Sequence, residues 1–277
     1  MPKDQAASQL TLFRGWDEKG RHVWSPFVIK LEARLRFADL KYTTAVGSPR
    51  TAPKGKIPYL DVTDTQDGVT SQFSDSSLII ADLMDAGLLP ALNDDLDAVQ
   101  RSHDLALRAM LEDKLYFYHT RERWIENYYT MRDYALWSAP YPVRVVVGLM
   151  VYRKTNAMLH GQGTGRFSAD EIAKFKLGIW TSINDLLVES RSGGSAGAAN
   201  DREPFWALGG ERPTEADCTL FGFVVSVMTS TACDKHILLT PQDSGPESRR
   251  IVQRFPVILD FASRIQDKYF PDYEKFI

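Results

Sequence analysis

An α/β unit followed by an all-α region is the architecture that this sequence predicts, and three observations carry the prediction. Short strand-like segments and helices alternate through the first 85 residues. A Pro-punctuated acidic stretch, "LLPALNDDLDA", then breaks that pattern. Beyond residue 95 only long helical periodicities recur, with no convincing strand between them. These signals divide the chain at 8–88 and 95–277.

In chain order, Leu10–Arg14 is apolar, is bounded by polar residues and reads as the first strand. After the loop "DEKGRHV" comes an amphipathic helix, with apolar Phe27, Val28, Leu31, Leu35 and Ala38 spaced by threes and fours. Lys41–Ala45 and Pro58–Val62 have the β-branched and aromatic content of strands, and a short strand is expected around Val69. A second helix opens at about Ser76 and is ended by Gly87 and Pro90. Helices are then expected over 95–130, 142–160, 168–190, 214–232 and 246–267. The low-complexity segment "SRSGGSAGAAND" at 190–201 reads as a poorly ordered surface loop. There is no internal repeat.

Composition narrows the function classes. The 277 residues, 44% of them hydrophobic, suffice for a proper core. Lys plus Arg total 33 against 36 for Asp plus Glu, so a net charge of −3 gives no general attraction to nucleic acid or anionic lipid. The longest apolar run, "VRVVVGLMVY" at 143–152, is about half of the roughly 20 residues that a membrane span needs, and it reads as a buried core helix. The start "MPKDQAASQL" lacks the apolar core of a secretory signal. Only Cys218 and Cys233 occur, which suits a reducing compartment, and a cytoplasmic location is expected. The five histidines (22, 103, 119, 160, 236) show no metal-ligand spacing, and no metal site is expected.

Four short segments combine a structural role with a possible chemical one. "SPF" sets Ser25 as the N-cap of a helix with Pro26 at its first position, and the same hydroxyl is placed to act on an anion at the positive helix end. "KIPYL" is either an ordinary trans proline at a strand start or a cis Ile57–Pro58 bond that turns the Ile57 backbone groups toward a peptide-like ligand. "SDSSLII" is a plain N-cap, or a cap whose free amides and Ser76 hydroxyl take a carboxylate while Asp75 takes an ammonium. "RPTEADCTL" places Thr214 and Asp217 as a reciprocal capping box at the start of a buried helix.

Taken in order, "SPFVIKLEARL", "KIPYL", "DSSLI" and "TEAD" resemble the ordered motifs of the glutathione transferase superfamily, the first being similar to the opening of its Ser-type tau class. Farther on, "LHGQGTGRFSADEI" and "RIQDKYFPDYEKF" resemble the failed axon connections branch, of metaxin-like ancestry. The resemblance implies a thioredoxin-like domain followed by an all-helical domain, glutathione as co-substrate, and a homodimer. It implies that Ser25 hydrogen-bonds the glutathione thiolate, with His22, Trp24 or a backbone N–H near Phe27 as substitutes. Ile57 and cis-Pro58 would pair with the tripeptide backbone, Asp75 and Ser76 would hold its γ-glutamyl end, and Lys56 would hold the glycyl carboxylate, with Lys54 and Arg50 in the same loop. A pocket for a small hydrophobic electrophile would lie between the domains, with Tyr116, Tyr118 and Trp124, and also Tyr128, as candidates. A glutathione-dependent isomerase and a non-catalytic glutathione-binding adaptor remain as alternatives.

The sequence departs from that pattern in places. The loop before Ser25 is long, Asp75 stands where Glu or Gln is usual, and "SPFV" holds no cysteine, so glutathione itself must supply the sulfur. The glycine-rich "HGQGTG" follows a predicted helix instead of a strand, which makes it a helix-to-helix turn, with His160 and Arg166 expected to stabilise it.

Overall fold

The computed structural model describes residues 8–193, 202–233 and 248–276. Four strands form one mixed sheet in the order β2-β1-β3-β4: β1 (Ser8–Phe13), β2 (Thr43–Ala45), β3 (Tyr59–Asp64) and β4 (Thr70–Ser74). β1 pairs parallel with β2, Thr11 opposite Thr43, and antiparallel with β3, Thr11 opposite Asp61; β3 and β4 are antiparallel. The parallel step needs a crossover, which α1 (Pro26–Phe37) supplies. Leu10, Leu12 and Leu60 of the sheet pack with Leu31 and Leu35 of α1 and with Ile79 and Leu83 of α2 (Ser76–Asp85). The strand expected around Val69 begins one residue later, and Val69 itself is exposed in the turn.

From Ala98 onward the chain is helical among the described residues. The helix expected over 95–130 is interrupted twice: α3 (Ala98–Ala109), a π-helical segment Met110–Leu115, α4 (Tyr116–Arg121), a second π-helical segment Glu122–Glu126, and α5 (Tyr128–Ala135). Each π turn rotates the face that the following residues present. Then come α6 (Tyr141–Gln162), α7 (Ala169–Gly193) and α8 (Glu215–Thr229). The helix expected over 246–267 is two, α9 (Ser248–Val252) and α10 (Pro256–Tyr269), because Pro256 lacks the N–H that a continuous helix would use. The loop read at 190–201 lies outside the described residues from 194 onward.

Every residue of α8 from Ala216 to Met228 is buried, and Phe221, Phe223 and Val224 pack with Ile29 and Ala33 of α1 and with Trp180, Ile258 and Phe261. α1 is therefore covered on both sides. Its polar positions do not form a solvated face: Lys30, Glu32 and Arg34 are all buried, and they pair with Glu112 (2.6 Å), Arg14 (3.3 Å) and Glu215 (2.6 Å). Two of those pairs tie the sheet unit to the helical region. Gly222 lets the helices approach, since a Cβ there would lie 2.5 Å from the Pro26 carbonyl oxygen.

The run at 143–152 is a surface helix face and not a buried core helix. Gly148 packs inward, where a Cβ would come within 2.7 Å of Arg132 and of the Tyr128 hydroxyl, while Val146 and Met150 are 61% and 65% exposed. A continuous apolar run carries no periodicity to say which side is covered. No helix among the described residues is long and apolar enough to cross a membrane. The turn after α6 is built on Gly163 (φ 109°) and on Gln162, whose side chain accepts from the Thr164 amide (3.0 Å) and hydroxyl (2.6 Å). His160 and Arg166 are exposed and join the turn through their backbones, the His160 carbonyl accepting from the Gly163 amide (3.3 Å) and the Arg166 amide donating to the Gly163 carbonyl (3.0 Å), while their side chains make no hydrogen bond among the described residues.

Candidate functional site

Three segments of the sheet unit and the two π-helical segments converge on a cavity of about 620 Å³. Ser25, at its floor, is the N-cap of α1, with extended φ/ψ and a side-chain oxygen that accepts from the Val28 amide at 3.4 Å. That bond uses the oxygen as acceptor and leaves the hydroxyl hydrogen to donate. No acidic side chain lies in the first turn of α1, so the positive helix end is uncompensated locally.

Ile57 and Pro58, joined by a cis peptide bond, lead into β3 and line the cavity. Asp75 and Ser76 line it at the start of α2. The Asp75 carboxylate accepts from the Ser77 amide at 3.1 Å and the Leu78 amide at 3.4 Å. Asp75 also holds φ at 77°, a conformation that costs a non-glycine residue on the order of 1–3 kcal/mol and that concentrates at ligand clamps. Ser76 is buried, and next to it the Ser77 hydroxyl accepts from Lys30 Nζ at 2.9 Å. Lys56 is an exposed member of the lining; Lys54 and Arg50 are not members.

The helical region supplies the opposite wall. Glu112 and Asp113 come from the first π-helical segment, Arg123 and Trp124 from the second, and Tyr116 and Phe117 from α4 between them. Tyr118 is not in this wall. It is buried on the far side of the helix and stacks on Phe175 (5.8 Å), since residues two apart on a helix face different ways. Tyr128 is also absent, and its ring meets Tyr129 and Tyr152 instead.

Several residues that line the cavity, or that hold its lining in place from behind as Tyr134 does, gave no signal in the sequence. Tyr134 of α5 sits between two tryptophans, its ring 3.6 Å from Trp24 and 4.9 Å from Trp16. Its hydroxyl accepts from the Trp24 amide at 3.0 Å and donates to Glu18 at 3.3 Å. Burial raises the pKa of both the phenol and Glu18. The long loop before Ser25 is thereby fastened to the helical region. Arg123, buried, donates to the Trp24 carbonyl (2.8 Å) and to the Ser226 hydroxyl (2.8 Å), which fixes the residue preceding Ser25 from the other side. His119 also lines the cavity, and burial, with Arg123 and Lys176 nearby, lowers its pKa well below the usual range, so it is a neutral imidazole. The one available signal was tryptophan: Trp16, Trp24 and Trp124 all line the cavity.

His22 is excluded as a substitute for Ser25. It lies in the core, its Nε2 is 2.6 Å from Gln266 Oε1, and burial pushes its pKa down to about 4. Cys218 is buried in α8 and does not line the cavity; burial holds its thiol well above the usual range.

A four-stranded mixed sheet, a helical region and a cavity between them, floored by a serine-capped helix, define a glutathione transferase fold. Residues 26–131 match the family model described as Glutathione S-transferase N-terminal domain. Over those residues the chain is similar to the glutathione S-transferase N-terminal domain. It is 24% identical over 278 residues to Failed axon connections of Drosophila melanogaster, a match that covers 91% of this chain and 56% of that protein, so the chain spans about half the length of that relative. Among solved structures, a glutathione transferase of Phanerochaete chrysosporium superposes with a TM-score of 0.54 at 15% identity, covering 94% of this chain and 98% of that one. Glutathione transferase Omega 1C of Trametes versicolor gives 0.52 at 13% identity, covering 96% and 92%. The maleylacetoacetate isomerase of Anaeromyxobacter dehalogenans, crystallised with glutathione in its active site, gives 0.50 at 16% identity, covering 96% and 95%. At these identities the likeness is one of fold.

Proposed function

We propose that the interdomain cavity binds glutathione and holds its thiol as thiolate for attack on a small hydrophobic electrophile. Residues 8–88 are the glutathione-binding unit and residues 95–277 the helical domain that completes the electrophile pocket. The observation that carries this reading is the convergence of Ser25, Ile57–Pro58 and Asp75–Ser76 on one cavity, two of them at helix N-termini. The donor set fits the tripeptide. Ser76 and the first amides of α2 suit the γ-glutamyl carboxylate, Asp75 suits its ammonium, the Ile57 backbone suits the cysteinyl peptide groups, and Lys56 suits the glycyl carboxylate.

Ser25 acts as a donor and not as a nucleophile. A free thiol with a pKa near about 8.5 is only slightly ionised at neutral pH, and a hydrogen bond to sulfur together with the positive end of α1 favours the thiolate. The electrophile side is aromatic, with Trp16, Trp24, Phe27, Tyr116 and Trp124 in the lining. The same proposal includes a cytoplasmic location and a homodimer; a light-scattering mass of about 31.3 kDa, that of one chain, would overturn the latter.

Calorimetric titration with glutathione tests the binding claim. Wild type should bind, and Ser76→Ala should weaken binding by roughly 1.5–3 kcal/mol, the worth of a hydrogen bond to a charged group. Equal affinity in the two proteins would remove Ser76, and with it the assignment of the α2 terminus.

A further inference from the structure

Ser226 lies in the middle of α8, in the apolar run "LFGFVVSVM", and is buried. A hydroxyl at such a place costs free energy unless it is bonded, and a hydroxyl residue inside a helix commonly bonds the carbonyl one turn back. Two others in α8 do so: Thr219 donates to the Glu215 carbonyl (3.2 Å) and Thr229 to the Val225 carbonyl (2.8 Å). The Ser226 hydroxyl points out of its helix. It donates to the Trp24 carbonyl at 2.6 Å, across 202 residues of chain, and accepts from Arg123 Nη2 at 2.8 Å. Arg123 also holds the Ser226 carbonyl through Nη2 (2.8 Å) and donates to the Trp24 carbonyl through Nη1 (2.8 Å). Both bonds on that carbonyl therefore come from the helical region, while the Trp24 amide donates to the Tyr134 hydroxyl on the other side (3.0 Å).

The consequence falls on the next residue. A peptide group is planar, so the Trp24 carbonyl shares its plane with the nitrogen and Cα of Ser25. Two short bonds on the carbonyl oxygen fix that plane, and with it the point from which the Ser25 side chain starts. The serine oxygen has one longer bond of its own, to the Val28 amide at 3.4 Å. Ser226 is not among the residues that line the cavity, so it acts on a ligand only through Ser25.

We propose that Ser226 is a positioning residue for Ser25: its bond to the Trp24 carbonyl, shared with Arg123, sets the peptide plane that aims the Ser25 hydroxyl at the sulfur of bound glutathione. The inference rests on the donor role proposed for Ser25.

The apparent thiol pKa of bound glutathione, followed by thiolate absorbance against pH in the full chain, tests it. Ser226→Ala leaves Arg123 on the Trp24 carbonyl and improves helix propensity, so it should fold. It should raise that pKa by about 0.3–1 unit, a twofold to tenfold loss in the thiolate ratio, with glutathione affinity unchanged by calorimetry. Ser226→Cys keeps a side chain of similar size but only a weak donor, and should do the same, which separates the lost bond from a lost volume. In a Ser25→Ala background, Ser226→Ala should add nothing, because the residue acts through the serine. Unchanged pKa in both Ser226 variants, with Ser25→Ala still raising it, would overturn the positioning role and leave the donor role of Ser25 standing. A shift of equal size with and without Ser25 would overturn it as well. If Ser25→Ala itself leaves the pKa unmoved, the donor role fails, and the positioning role fails with it.

Discussion

The N-termini of α2 and α8 use the same residue types, an aspartate and a hydroxyl beside the first turn, but their surroundings are opposite. At α8 the Asp217 carboxylate accepts from the Thr214 amide (2.7 Å), the Thr214 hydroxyl (2.8 Å) and the Ala207 amide (2.7 Å). The next two amides are also taken, Glu215 by Asn93 (3.1 Å) and Ala216 by Asp104 (2.7 Å). Nothing is left over for a ligand. At α2 the Asp75 carboxylate caps two amides while Ser76 lines the open cavity and the Asp75 backbone sits at positive φ. Residue type identifies a cap, and only the covering shell decides whether the cap also serves a ligand.

Asp217→Ala should break the sealed end most severely. It strands the buried Thr214 and Ala207 amides, and two unsatisfied groups at about 1–3 kcal/mol each give a loss of roughly 2–6 kcal/mol in a urea melt. Glutathione affinity of the remaining folded protein should be unchanged, in contrast to Ser76→Ala, which should move affinity and not the melt. Next in size is Gly222→Ala, whose Cβ would press on backbone atoms of Pro26 and Lys30 and so separate α1 from α8. The expected cost is about 1–3 kcal/mol, with weaker glutathione binding as well, because Pro26 and Phe27 of the displaced turn line the cavity. If affinity survives while stability falls, α1 is held in place by something other than that close approach.

The smallest effect concerns pH. Burial depresses His22 from 6.5 to about 4, so its contribution is present above 6.5 and is lost as pH falls toward 4. Burial raises Asp217 from 3.8 to about 6, so its contribution is present below 3.8 and is lost as pH rises toward 6. The two windows overlap with opposite signs and partly cancel. Urea midpoints at about pH 4.5 and about pH 7 should show His22→Phe less acid-sensitive than wild type and Asp217→Asn more so. Parallel changes in both variants would contradict the sign of one shift.

Much of this was legible in the sequence, and what was not has physical causes. The strands, α1, α2 and the α8 cap follow from alternation, spacing and capping residues, which are local. Ser25, Lys56, Ile57, Pro58, Asp75, Ser76, Tyr116 and Trp124 share one lining, but Tyr118 does not, because an aromatic cluster two residues apart was read as one stripe. The π-helical segments bring Glu112 and Arg123 to the cavity, and no residue pattern announces an inserted helical residue. The ion pairs of Lys30 and Arg34 reach across 82 and 181 residues of chain, which no helical period encodes.

The central claim is that Ser25 is more than the cap of α1. Ultraviolet absorbance of the thiolate, followed against pH with glutathione bound, measures that directly. For wild type the apparent thiol pKa should fall below the free value of about 8.5, and Ser25→Ala should raise it by about one to two units with little change in glutathione affinity. Superimposable curves for the two proteins would contradict the claim, and would reduce Ser25 to the capping role that its bond to the Val28 amide already shows.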